Sequence, residues 1–94
     1  MKMHPLVRAL KATLPDAEFN LTFSHDWCSM TFAGQQIVIE CRPLVGRCTE
    51  TWESSLSERE FSITNFLVAD IAVASSEDVG GQRSILIEAL VINL

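Results

Sequence analysis

Apolar and polar residues follow two rhythms along this chain, and the change of rhythm divides it. From residue 5 to residue 14 the spacing is helical. Leu6, Leu10 and Thr13/Leu14 recur on one side of a wheel, while Arg8 and Lys11 fall elsewhere. Pro5 suits the first helical turn, where a missing N–H costs nothing. Lys11 suits the negative C-terminal end, and Pro15 stops the helix. From residue 19 the period becomes two. Phe19, Leu21 and Phe23 alternate with Asn20, Thr22 and Ser24. Cys28, Met30 and Phe32 alternate with Ser29, Thr31 and Ala33, and Ile37, Ile39 and Cys41 with Val38, Glu40 and Arg42. His25-Asp26 and Gly34-Gln35 are short polar breaks. This pattern predicts an antiparallel meander of about three strands with one buried face.

The segment 43–59 is open between readings. Pro43 and Gly46 mark a turn. After it, Cys48, Glu50 and Trp52 alternate with Thr49 and Thr51, which favours a short strand, whereas Trp52 and Leu56 are spaced for a helix over 50–59. A helix continuing past residue 60 is rejected, because Phe61, Ile63, Phe66, Val68, Ile71 and Val73 scatter around a wheel. With period two, Phe61, Ile63, Leu67, Ala69, Ile71 and Val73 line one face. Residues 61–74 and 83–94 form two strand-like runs around the sequence SSEDVGGQ, where Gly80-Gly81 can supply positive φ. They predict a long β-hairpin. The expected fold class is α+β: an N-terminal helix followed by an antiparallel β-sheet, in a single domain over 1–94.

The last strand changes the picture from fold to assembly. Ile85, Ile87, Ala89 and Val91 point one way. Leu86, Leu90, Ile92 and Leu94 point the other, with Glu88 among them. A strand apolar on both faces needs cover on both faces. One short helix cannot supply it, and a chain of 94 residues is short of core. The expectation is a homodimer formed through the second face of the sheet, with Phe66, Val68, Leu86, Leu90 and Ile92 in contact. The competing expectation is that 43–59 folds back over that face.

Composition then narrows function. The chain is 48% hydrophobic, and Lys+Arg 7 against Asp+Glu 12 give a net charge of −5. Three of the bases fall in the first 15 residues, which hold no acid, leaving four bases against twelve acids, a net −8, in the rest. This balance argues against nucleic acid, which needs a basic footprint, and against an anionic membrane surface. Glu50, Glu53, Glu58 and Glu60 form the densest acidic stretch. It reads as a solvated face, or as a surface offered to a basic partner. An acidic inhibitor, immunity or anti-defence protein that masks a basic target site would have this character. Arg8 and Lys11 interrupt any apolar leader core, and Ile85–Leu94 is too short for a membrane helix. The expected location is cytoplasmic, where the three cysteines stay reduced.

Candidate chemistry is sparse. His25-x-x-Cys28 has a metal-ligand spacing, and Cys41 and Cys48 could complete a tetrahedral site. Against it, no second tight pair is present, and Cys28 and Cys41 fit the buried faces of their strands as packing. A Cys–His nucleophile could be drawn from Cys28 or Cys48 with His25 or His4, although His25 falls in an expected turn and His4 at a helix start. Asp70 and Glu88 would face each other as an acid–base dyad if the hairpin register summed to 158. A structural role for a lone acid is the stronger reading. Arg42 and Arg47 flank the turn at Pro43–Gly46 and could grip an anion. Trp27 and Trp52 could anchor an interface or simply pack. The four glycines spell neither a Walker A loop nor a dinucleotide fingerprint, and H-E-x-x-H, C-x-x-C and G-x-S-x-G are all missing. No cofactor is implied. The sequence points to a small non-catalytic protein-interaction domain; a small metal-binding or Cys/His enzyme is the alternative.

Overall fold

Pro5 opens the first helix, α1 (Pro5–Thr13), in the computed structural model, which describes residues 4–94. His4 caps it. Its Nδ1 accepts the Leu6 amide at 3.1 Å, and Nε2, the protonated nitrogen of that tautomer, reaches Gln35 Oε1 at 3.1 Å. One imidazole thus satisfies a free helix amide and ties the helix start to the sheet. At the other end Lys11 Nζ donates to the Ala17 carbonyl at 3.0 Å. Leu6, Val7, Leu10 and Leu14 are buried.

Four strands follow: β1 (Glu18–Cys28), β2 (Ala33–Arg42), β3 (Phe66–Val79) and β4 (Gln82–Asn93). They form one sheet in the order β1-β2-β4-β3, and every neighbour is antiparallel. Two hairpins are therefore joined through β2 and β4. The N-terminal run is one hairpin and not a three-stranded meander. His25 and Asp26 do not break β1; they pair with Gln36 and Gln35. The turn falls later, where Ser29 Oγ accepts the Phe32 amide at 3.1 Å and the Ser29 amide donates to Phe32 O at 2.7 Å. Gly34-Gln35 lies inside β2. The physical reason is a bulge between Leu21 and Phe23. Leu21 pairs with Ile39 but Phe23 with Val38, so two residues of equal parity point to opposite faces.

The C-terminal hairpin is as expected in kind and shifted in detail. β3 starts at Phe66, not at Phe61, and runs through Ser75–Val79 to the turn. Gly80 and Gly81 have φ of 60° and 85°, as a tight two-residue hairpin turn requires. Two bulges, at Val68/Asp70 and Val73/Ser75, break the period of two. Phe66, Val68, Ile71 and Val73 consequently share the core face, while Leu67 points away from it.

Of the two readings left open for 43–59 the helical one holds: residues 43–49 form a loop, and α2 (Glu50–Ser55) with a 3₁₀ turn (Leu56–Glu58) follows in place of a short strand. Burial decides this: Trp52 and Leu56, four apart, both enter the core. The Trp52 indole donates to Thr13 Oγ1 at 2.8 Å, and its ring meets Phe19 edge-on at 6.1 Å. Leu6, Leu10, Trp52 and Leu56 belong to one buried cluster with Ile37, Ile39, Ile85 and Ile87. Both helices therefore cover the same face of the sheet. The segment 43–59 does not fold over the second face.

Candidate functional site

The second face of the sheet is bare of helices among the described residues, and cross-strand pairing arranges it in rows. One row runs Phe23–Val38–Glu88–Ala72 across β1, β2, β4 and β3. The next runs His25–Gln36–Leu90–Asp70, and the third Trp27–Gly34–Ile92–Leu67. Leu86 continues the apolar line along β4. Phe23 is 51% exposed and Leu67 50% exposed; Val38, Leu86, Leu90 and Ile92 are half-buried only by their neighbours in the sheet. The Phe23 and His25 rings stack at 6.4 Å on β1. Trp27 Nε1 is enclosed without a hydrogen-bond partner among the described residues, an uncommon condition for a buried donor.

The expected contact residues divide between the faces. Leu86, Leu90 and Ile92 lie on the open face. Phe66 and Val68 lie on the helix-covered face, where Phe66 stands 6.0 Å from the His4 ring. Bulges in β3 are the cause. Phe23, Trp27, Val38 and Leu67 were not singled out for this face from sequence. Val38 had a visible signal, being an apolar residue in the polar phase of its strand.

The acid–base dyad does not form. Asp70 pairs with Leu90, and Glu88 with Ala72. The two carboxylates sit diagonally on the open face, beside Gln36. The proposed ligand set is also scattered. His25 and Cys28, three apart on a strand, point to opposite faces. Cys28 is exposed and not part of the core, Cys48 is exposed in the loop before α2, and Cys41 is buried. Burial, reinforced by the nearby Glu53 charge, pushes the Cys41 thiol up to about 12, which keeps it protonated and unreactive. Among the described residues no three His, Cys, Asp or Glu side chains gather as metal ligands. His25 lies in a strand and not in a turn.

Of the acidic stretch, Glu50, Glu58 and Glu60 are exposed, but Glu53 is not free. Its Oε2 accepts from Thr49 Oγ1 at 2.7 Å and from Arg83 Nε at 3.1 Å. Burial alone would raise the Glu53 pKa, yet the hydrogen bonds and the Arg83 charge outweigh it and hold the carboxyl below its ordinary value. Arg83 also reaches Asp78 at 3.4 Å. A cleft of ≈ 510 Å³ opens beside this cluster, lined by Leu44, Val45, Arg47, Cys48 and Arg83. Both of its guanidiniums are already paired, Arg47 with Asp16 at 2.6 Å and Arg83 with Glu53, so no cation is left over to hold an anion. Arg42 is likewise paired, with Glu40 at 3.1 Å. Trp52 is a core residue; Trp27 stays on the open face.

No family model, curated protein or solved structure matches this chain. No helix among the described residues is long and apolar enough to cross a membrane.

Proposed function

We propose that this chain is a non-catalytic interaction domain that assembles with a second copy through the open face of its sheet. The observation that carries this reading is the placement of α1 and α2 together on one face. It leaves Leu86, Leu90 and Ile92 of the central strand β4 to water, flanked by Val38, Phe23 and Leu67. Burial of apolar area is worth roughly 25 cal/mol per Å², and a self-complementary face closes most simply as a twofold dimer.

Leu90→Glu tests the proposal. Leu90 sits on the open face, so the variant keeps its fold and melts cooperatively, but it elutes with monomer mass in light scattering where the unaltered chain elutes as a dimer. A variant that remains dimeric would rule out this face as the contact. A second reading is favoured by Glu50, Glu58 and Glu60, which form no ion pair among the described residues. They could face a basic target, and such binding would weaken steeply with salt. Affinity that ignores ionic strength would remove that reading.

A further inference from the structure

We propose that two copies close over the open face about a twofold axis running along the strands, so that His25 of each copy meets Asp70 of the other. This rests on the self-assembly reading above and specifies its geometry. His25 and Asp70 belong to the same row but to the two outer strands, β1 and β3, with Gln36 and Leu90 between them. The row thus carries an imidazole donor at one margin and a carboxylate acceptor at the other.

Facing sheets keep their strands within about 30° of each other. A twofold axis between the faces therefore runs either along the strands or across them. Across the strands, each outer strand lies over its own copy, and the acidic margin is set against itself. Along the strands, β1 lies over β3 of the second copy and β2 over β4, so each row meets itself reversed. His25 then lies over Asp70 of the second copy, and the imidazole donates to the carboxylate. In the neighbouring rows the Phe23 ring falls over Ala72 of the second copy, and Trp27 over Leu67. Each Glu88 lies over Val38 of the second copy, one strand spacing of about 5 Å to the side of its counterpart. The other charged groups of the face, Glu18, Glu40, Arg42 and Glu77, lie toward its far end, where Glu40 is held by Arg42.

Within one chain the two residues are separated by three strand spacings, about 14 Å, too far to pair. Any energetic coupling between them must therefore pass between copies. Dimer dissociation constants are to be measured for the unaltered chain, His25→Glu, Asp70→Lys and the double variant. Each single substitution is expected to weaken the dimer about tenfold or more, since one sets a second carboxylate against Asp70 and the other removes the acceptor of the imidazole, and the double exchange to restore it to within about threefold. Because both side chains are exposed, the variants should retain the circular dichroism spectrum. The neutral pair His25→Gln and Asp70→Asn reads the same coupling without introducing charge. A dimer whose double variant is as weak as the two singles combined would overturn this geometry and leave assembly standing. A chain that is monomeric throughout would overturn both.

Discussion

A side chain at Gly34 would begin inside the neighbouring strand, because its Cβ would overlap the Val91 carbonyl oxygen. Backbone cannot yield as a flexible side chain can, so Gly34→Ala should destabilise the fold by about 1–3 kcal/mol. Urea unfolding measures this, and an unchanged midpoint would refute the close contact. Glu53 makes a prediction in pH. Its folded pKa lies below the ordinary 4.5, so its contribution is fully present above that value and is lost as pH falls through the folded pKa. Glu53→Gln should flatten that acid limb of the stability curve, and a limb of unchanged steepness would assign it to other carboxylates. Cys41 makes a prediction in reactivity. In the native state a thiol reagent should modify Cys28 and Cys48 promptly and Cys41 only on unfolding; three fast thiols would contradict the buried position. Of these three roles only the burial of Cys41 is legible in sequence, from the alternation of Ile37, Ile39 and Cys41; those of Gly34 and Glu53 depend on what a neighbouring strand places against the residue.

At the scale of elements, local signals served well where one feature dominated. Pro5, the Leu6–Leu10–Leu14 spacing and Pro15 delimit α1, and Gly80-Gly81 marks the hairpin turn. Alternation failed where a bulge inserts one extra residue. The bulge after Leu21 makes β1 resemble two strands, and those in β3 exchange the faces assigned to Leu67, Phe66 and Val68. A period of two carries no sign of such a shift, since the bulged residues are ordinary in type. The segment 50–58 became helical through tertiary contact, with Trp52 and Leu56 drawn under α1. The Trp52 indole links α2 to Thr13. Trp52→Phe should keep the ring packing and lose the hydrogen bond, costing about 1 kcal/mol. A thermal melt that does not move would mean that the bond contributes nothing net.

For the molecule as a whole, the arrangement of layers decides the functional reading. Two helices on one side of a four-stranded sheet make a two-layer domain with a single core, and its outer sheet face stays open. The two-faced character of β4 was visible in sequence, because Leu86, Leu90 and Ile92 interleave with Ile85, Ile87 and Val91 without a polar phase. Which segment covers which face was not visible, because it depends on where 43–59 packs. The measurement that tests the central claim most directly is sedimentation equilibrium of the unaltered chain from low to high micromolar concentration. A mass twice the 10.5 kDa of one chain, falling toward one chain on dilution, is the predicted result. A mass of one chain at every concentration would contradict it.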